Sequence, residues 1–275
     1  MSFKSLTPDL VSDPRLWRLA LAIDSDVLNV MAYSIVGELS VIACNIPLAA
    51  NDDHVKSLED AVYDNQLLLQ DFDRIDILIH TDNYIIVPSD VDDEDVIADL
   101  FHHERPSFKG ETIANRSEQI GATVVTGVDA KLLGFLRRTF FNPRIMNWIY
   151  PQCAYFGDKS RAGNDRKMFA HFRDGRIDIT AFSRGKLLMA NTFTYRDPMD
   201  AVYFIMAARQ SLNFDQHRDP LLLVGDTNVR DAIVPTLREY VALVMPVIFP
   251  STMSGALRQN AADTPFPLIL TPLCE

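Results

Sequence analysis

With 275 residues, 48% of them hydrophobic and 23% charged, the chain has the composition of a globular protein with a substantial core, which excludes a disordered one. A formal net charge of -11 argues against a general nucleic-acid binder, which needs a basic surface to displace counterions. Three widely spaced cysteines, Cys44, Cys153 and Cys274, form no C-x-x-C pair and so point to a reducing compartment without structural zinc.

The first residues, up to Trp17, lack the apolar core of a signal peptide, and Val241 to Phe249 is short and broken by Pro246. The expectation is a cytoplasmic protein without a membrane span. Leu16 to Asp24, Val27 to Ile35 and Leu39 to Leu48 are apolar runs separated by Asp-Ser-Asp and by Val36-Gly37-Glu38, the pattern of an antiparallel meander. Ser57 is placed to cap a helix reaching about Leu69. Ile75 to His80 and Asn83 to Pro88 read as strands. Ser89 opens an acidic-start helix that ends near His102-His103, a polarity suited to the helix dipole. Residues 105–119 read as a polar loop. A strand–helix–strand segment fills 123–150, and residues 157–166 are the best exposed linker.

The order then repeats. Met168 to Arg173, Arg176 to Ser183 and Leu187 to Tyr195 form a second meander, its first turn made by Asp174-Gly175. Asp197-Pro198 opens a helix, Leu221 to Val224 is a buried strand ending at Gly225, and a helix is expected over Asp231 to Val244. Both halves carry an Asp-Ala-Val-Tyr tetrapeptide, at Asp60 and at Asp200. Agreement in element order points to an internal duplication, with halves over residues 1–156 and 157–275.

A duplicated β-β-β-α-β-α unit is the plan of the actin-like ATPase, or ribonuclease H-like, α/β fold. The chain also resembles a Bacteroidota family, domain-of-unknown-function family 3822, with that fold. The segments that carry the likeness are Leu188 to Tyr195, Asp200 to Phe204, Tyr84 to Pro88, Leu223 to Gly225 and the closing Leu273-Cys274-Glu275. More distantly the chain is similar to pilus-assembly and secretion members of the actin-like group, which act as cytoplasmic adaptors. The resemblance implies a fold and brings almost no activity with it.

Actin-like ATPases hold phosphate between two hairpin loops, each with an Asp and a Gly, because backbone N–H groups must approach the phosphates. Here the first loop is Asp24-Ser25-Asp26, without glycine, and the second is Arg173-Asp174-Gly175; Gly225-Asp226 stands on the adenine side. Asp24, Ser25, Asp174, Gly175, Gly225 and Asp226 are thus the candidate nucleotide cleft, for ATP with magnesium. The leading expectation is nevertheless a non-catalytic protein that binds a protein partner through a retained core, with degenerate phosphate loops. The alternative is an ATP-binding switch. A third reading, a metal-dependent nuclease, would use Asp24, Glu59 or Asp60, and Asp82; turn and cap carboxylates favour such places anyway.

Other motifs fade. Asp90 to Asp95 lacks the Gly at position six and the Glu at position twelve of a calcium loop. His102 and His103 are adjacent on a helix and diverge by about 100°. Arg137-Arg138 with Arg144 reads as a solvated face. No resident metal is expected.

Overall fold

The computed structural model describes residues 11, 13–36, 40–50, 53–163, 165–248 and 264–274. The turn expected at Gly37 and Glu38 lies outside them. Alternating apolar runs form β1 (Trp17–Ile23), β2 (Val27–Ser34) and β3 (Val41–Pro47). Helix α1 (His54–Tyr63) is capped four residues earlier than at Ser57, because the Asp53 carboxylate accepts the Lys56 N–H. Ser57 is buried instead, its hydroxyl donating to the Ala49 carbonyl at 2.9 Å. The chain returns as β4 (Arg74–Ile79), parallel to β1.

Between β4 and the next core helix lies an inserted unit: β5 (Tyr84–Pro88), α2 (Glu94–Glu104), β6 (Glu111–Ser117) and β7 (Ala122–Val128). Strand β6 occupies the stretch expected to be a loop. It is an edge strand of the small sheet, so few of its side chains need be apolar. Then come α3 (Ala130–Thr139), β8 (Arg144–Asn147) and α4 (Ile149–Ser160). The strand expected to run to Tyr150 stops at Asn147, whose side-chain oxygen accepts the Ile149 N–H at 2.8 Å and turns the chain into α4. Residues 157–160, expected as exposed linker, are the last turn of α4. Gly157 is buried there against Ile120, where a Cβ would not fit. The expected division between residues 156 and 157 falls inside this helix.

The second half runs β9 (Arg166–Arg173), β10 (Arg176–Ser183), β11 (Lys186–Thr194), α5 (Pro198–Ser211), β12 (Leu221–Gly225), α6 (Thr227–Tyr240) and β13 (Val244–Pro246), followed by α7 (Phe266–Leu270). Helix α6 begins at Thr227 rather than Asp231, since Asp226 caps it by accepting the Asn228 and Val229 N–H groups. Two five-stranded sheets result, with orders β3-β2-β1-β4-β8 and β11-β10-β9-β12-β13, beside the three-stranded β5-β7-β6. The large sheets are the same topology built twice, a mixed α/β arrangement with the insertion in the first copy only. The shared tetrapeptide is no part of that equivalence: Asp60–Tyr63 closes α1, whereas Asp200 lies in the first turn of α5 and completes a capping box with Asp197.

Each large sheet is covered on one face by its own helix pair. Leu58 and Val62 of α1 and Leu133 and Leu136 of α3 meet Leu19, Leu21 and Ile77. Ala201 and Ile205 of α5 and Ile233 and Leu237 of α6 meet Met168, Ala170 and Leu223. A further cluster joins the parts: Phe156 and Cys153 of α4 contact Phe169, Phe182 and Val224 of the second sheet, and Tyr84, Ile120 and Val124 of the insertion. Among the described residues no helix is long and apolar enough to cross a membrane.

One backbone position is set by this packing. Gly225 has φ +94, and a Cβ there would collide with the Phe172 carbonyl oxygen across the β9–β12 pair. Gly163 has φ +82 with open space around it. Gly225→Ala is therefore expected to cost about 3 kcal/mol or more, against about 1 kcal/mol for Gly163→Ala. Urea denaturation midpoints of the two variants check the ordering, and equal losses would show that the close approach to Phe172 does not matter.

Candidate functional site

Strand register sets the two hairpins in correspondence. In the first half Ile23 pairs with Leu28 and with Ile79; in the second, Phe172 pairs with Ile177 and with Gly225. Asp24 therefore occupies the place that Arg173 holds in the other copy. Ser25 matches Asp174, Asp26 matches Gly175, and Asn29 matches Asp178. Where the first half presents a carboxylate to the seam, the second presents a guanidinium.

Arg173 crosses that seam. Its Nη1 lies 2.7 Å from His80 Nε2. A guanidinium only donates, so Nε2 accepts and the imidazole proton sits on Nδ1. That Nδ1 is 2.8 Å from Asp24 Oδ1, giving a line Asp24–His80–Arg173 through a neutral imidazole. Trp148 forms the wall beside it: His80 stacks on the indole at 5.0 Å, and the Arg173 guanidinium lies 4.7 Å from the ring centroid. Burial pushes the Asp24 carboxyl up, but the His80 and Ser25 N–H hydrogen bonds and the Arg173 charge outweigh it, and the group titrates below the usual range.

Behind Arg173 sits Asp178, whose side chain is wholly buried. Its oxygens accept from Gln152 Nε2 at 2.8 Å, Thr192 Oγ1 at 2.8 Å, Arg173 Nε at 3.2 Å and His171 Nδ1 at 3.3 Å. Burial alone would raise its carboxyl. The His171 hydrogen bond, the Arg173 charge and the Gln152 amide instead hold it far below the carboxylate range. His171 is driven down by burial, with the Asp178 carboxylate opposing. Since Thr192 spends its proton on Asp178, it accepts the Tyr84 hydroxyl at 3.0 Å, which ties the inserted sheet to the same group. A second, more exposed bridge crosses the seam where Arg176 Nη1 meets both Asp82 oxygens at 2.5 and 2.7 Å.

The structure divides the six expected residues. Asp24 and Ser25 line a cavity of about 380 Å³ together with His54, Thr81, Asp82 and Arg176. The Ser25 N–H is already donated to Asp24 Oδ1 at 2.7 Å. The other four gather instead around Phe172 and Tyr195. Asp174 (φ +40) and Gly175 (φ +70) form a two-residue hairpin turn that needs positive φ at both places. The Gly175 carbonyl accepts the Tyr195 N–H at 2.8 Å, and the Asp226 N–H donates to Phe172 O at 3.0 Å. The Asp226 carboxylate is the α6 cap. Of the nuclease carboxylates, Asp24 and Asp82 share the cavity that Ser25 lines, but Glu59, which faces Arg138 at 3.9 Å, and Asp60 line a different one. Among the described residues no three His, Cys, Asp or Glu side chains are grouped to hold a metal.

Sequence reasoning gave no role to His80, Trp148, Gln152 and Asp178, nor to Arg173, which it placed in the second loop without one. One signal was available: Asp178 and Thr180 alternate with Ile177 and Ile179 in a strand buried on both faces, so a polar group there had to find partners inside.

The sequence matches a family model described as "Protein of unknown function (DUF3822)" over residues 14–244. No curated protein matches it at a significant level. Among solved structures, a Bacteroides thetaiotaomicron protein with actin-like ATPase fold and unknown function is similar with a TM-score of 0.77 at 23% identity, over 85% of this chain and 91% of that one. A PilM–PilN type IV pilus biogenesis complex is similar with a TM-score of 0.49 at 14% identity, over 85% and 89%. The likeness to the Bacteroides protein shows the actin-like ATPase fold, and the family match covers most of the sequence: the chain belongs to the DUF3822 family of proteins of unknown function.

Proposed function

We propose that this protein is a non-catalytic actin-like member that works in the cytoplasm by binding a protein partner, as an adaptor or scaffold. The observation that carries the reading is Arg173 in the place that Asp24 holds in the other half. A nucleotide clamp needs free backbone N–H groups and a metal-directed carboxylate from each hairpin. An arginine alone would suit a phosphate. This one is spent on Asp178 and His80, the Ser25 N–H on Asp24, and the first N–H groups of α6 on Asp226. The residues present do not fit a magnesium nucleotide. Three free thiols support the cytoplasmic placement.

With millimolar ATP and magnesium, the expected result is no phosphate release and a melting midpoint unchanged within about 1 °C, because a ligand bound to the native state must raise stability. A rise of several degrees, or hydrolysis abolished by Asp24→Ala, would overturn the reading in favour of a nucleotide switch.

The seam should also hold the halves together without any ligand. Arg173→Ala leaves Asp178 short of its cation in a dry site and is expected to cost about 3–5 kcal/mol. Arg176→Ala breaks only an exposed pair and is expected to cost less than about 1 kcal/mol. Equal effects in urea titrations would contradict a buried lock.

The pH dependence follows from the same groups. The folded-state value of Asp178 is depressed, so its contribution is present in full above the unfolded value of about 3.9 and is lost progressively as pH falls from there through the folded value. His171, also lowered, acts in the same direction from about pH 6.5 downward, because the unfolded state takes up its proton first. Stability should therefore decline as pH falls from about 6.5, and the gap between the native chain and Asp178→Asn should narrow once pH is below about 3.9. A gap independent of pH would mean that Asp178 is not ionised in the fold.

A further inference from the structure

Two sheet edges face one another across a groove outside the seam. Among the described residues, strand β5 is one open edge of the three-stranded sheet, and β11 is one open edge of the second large sheet. Between them runs a groove of about 680 Å³ whose walls include Ile86 and Val87 of β5, Leu188 and Ala190 of β11, and Leu100 and Glu104 of α2. Among the described residues, backbone groups at its two ends already have partners. The Tyr84 carbonyl accepts Arg105 Nη2 at 3.3 Å, and the Leu187 N–H donates to Ile120 O at 2.8 Å. Leu188 falls where the β10–β11 register shifts, and it is 42% exposed; Leu100 is 40% exposed. Apolar side chains and edge peptide groups thus line the same slot.

The charge beside that slot is largely acidic, with the Arg105 guanidinium held at the Tyr84 carbonyl. From Ser89 to Glu104 the chain carries Asp90, Asp92, Asp93, Glu94, Asp95, Asp99 and Glu104, all exposed, and no lysine or arginine. Asp90 follows the Pro88 end of the groove, and Glu104 lines it. An acidic helix flanking an apolar, edge-walled groove complements a strand that carries cations on one face and aliphatic side chains on the other. We infer that the groove between β5 and β11 docks an extended segment of a protein partner, cationic and aliphatic in alternation, which adds as a strand to one of the open edges. The inference rests on the reading of the chain as a partner-binding protein and names the surface and the chemistry of that partner.

The test uses the full chain and a fluorescent peptide of about eight residues alternating lysine and valine, long enough to span β5. Anisotropy should give micromolar binding. Peptides with glutamate for lysine, or glycine for valine, should bind at least about tenfold more weakly. Leu188→Lys, and separately the set Asp90→Lys, Asp92→Lys and Glu104→Lys, should each weaken binding about tenfold. Reversal of three remote acids, Asp71, Asp231 and Glu239, should leave it within about twofold. Bound peptide should slow amide exchange in β5 or β11. All substituted positions are exposed, and the remote set reports on folding and on general charge attraction together. Equal loss from the remote set, indifference to the glycine peptide, or protection away from both edges overturns the inference. So does self-association abolished by Leu188→Lys without peptide binding, which would make a second copy the occupant. Failure of the peptide to bind removes the groove alone, whereas ATP turnover removes the earlier reading alone.

Discussion

The fold's central constraint is one carboxylate that has no access to water. Asp178 must be supplied with donors where it lies, because an unpaired charge in the interior costs several kcal/mol. Its partners come from α4, β9 and β11, in the persons of Gln152, His171, Arg173 and Thr192. Each partner brings the next. Thr192 holds Tyr84 of the insertion, and Arg173 holds His80, which holds Asp24. A requirement for satisfying one buried group therefore reaches both large sheets and the small one.

The apolar packing and the polar seam divide the work. Each large sheet buries one face under its own pair of helices and would have a core of its own. What joins the copies is α4 with its aromatic contacts, Phe156 stacked on Phe169 at 4.2 Å, together with the Asp178 network. In related architectures a ligand between two hairpins can alter the angle between halves. Here the equivalent space holds an arginine, an imidazole and an indole in mutual contact. Domain motion under such conditions would have to break the Arg173–His80 and Tyr84–Thr192 hydrogen bonds beside a buried anion, so the seam favours one relative arrangement.

Much of this was legible in the sequence, by a specific route. Asp174-Gly175 between two apolar runs defines a two-residue turn, and counting back from it places His171 opposite Asp178. The repeated order of strands and helices likewise follows from periodicity. The cross-copy contacts do not, since Arg173 and His80 are 93 positions apart and neither has a local signature. Strand β6 escaped because an edge strand needs few apolar residues, and the end of β8 because the stop is made by the Asn147 side-chain oxygen accepting the Ile149 N–H. The repeated tetrapeptide misled in the opposite way: amphipathic helices reuse such residues, and here the two copies sit at opposite ends of their helices.

The pairing of Arg173 with Asp178, where the first copy has Asp24 and Asn29, has a consequence for how the sequence can change. A seam with two matched carboxylate hairpins would require Arg173 to become acidic and Asp178 to become neutral. Taken one at a time, the first change sets two carboxylates against each other in a dry site, and the second strands a guanidinium. Either intermediate gives up a large part of the stability a domain of this kind possesses. The asymmetry between the copies is thus a ratchet: once both charges are in place, single substitutions lead away from the fold rather than back to a symmetric cleft, and a return route must change the pair together.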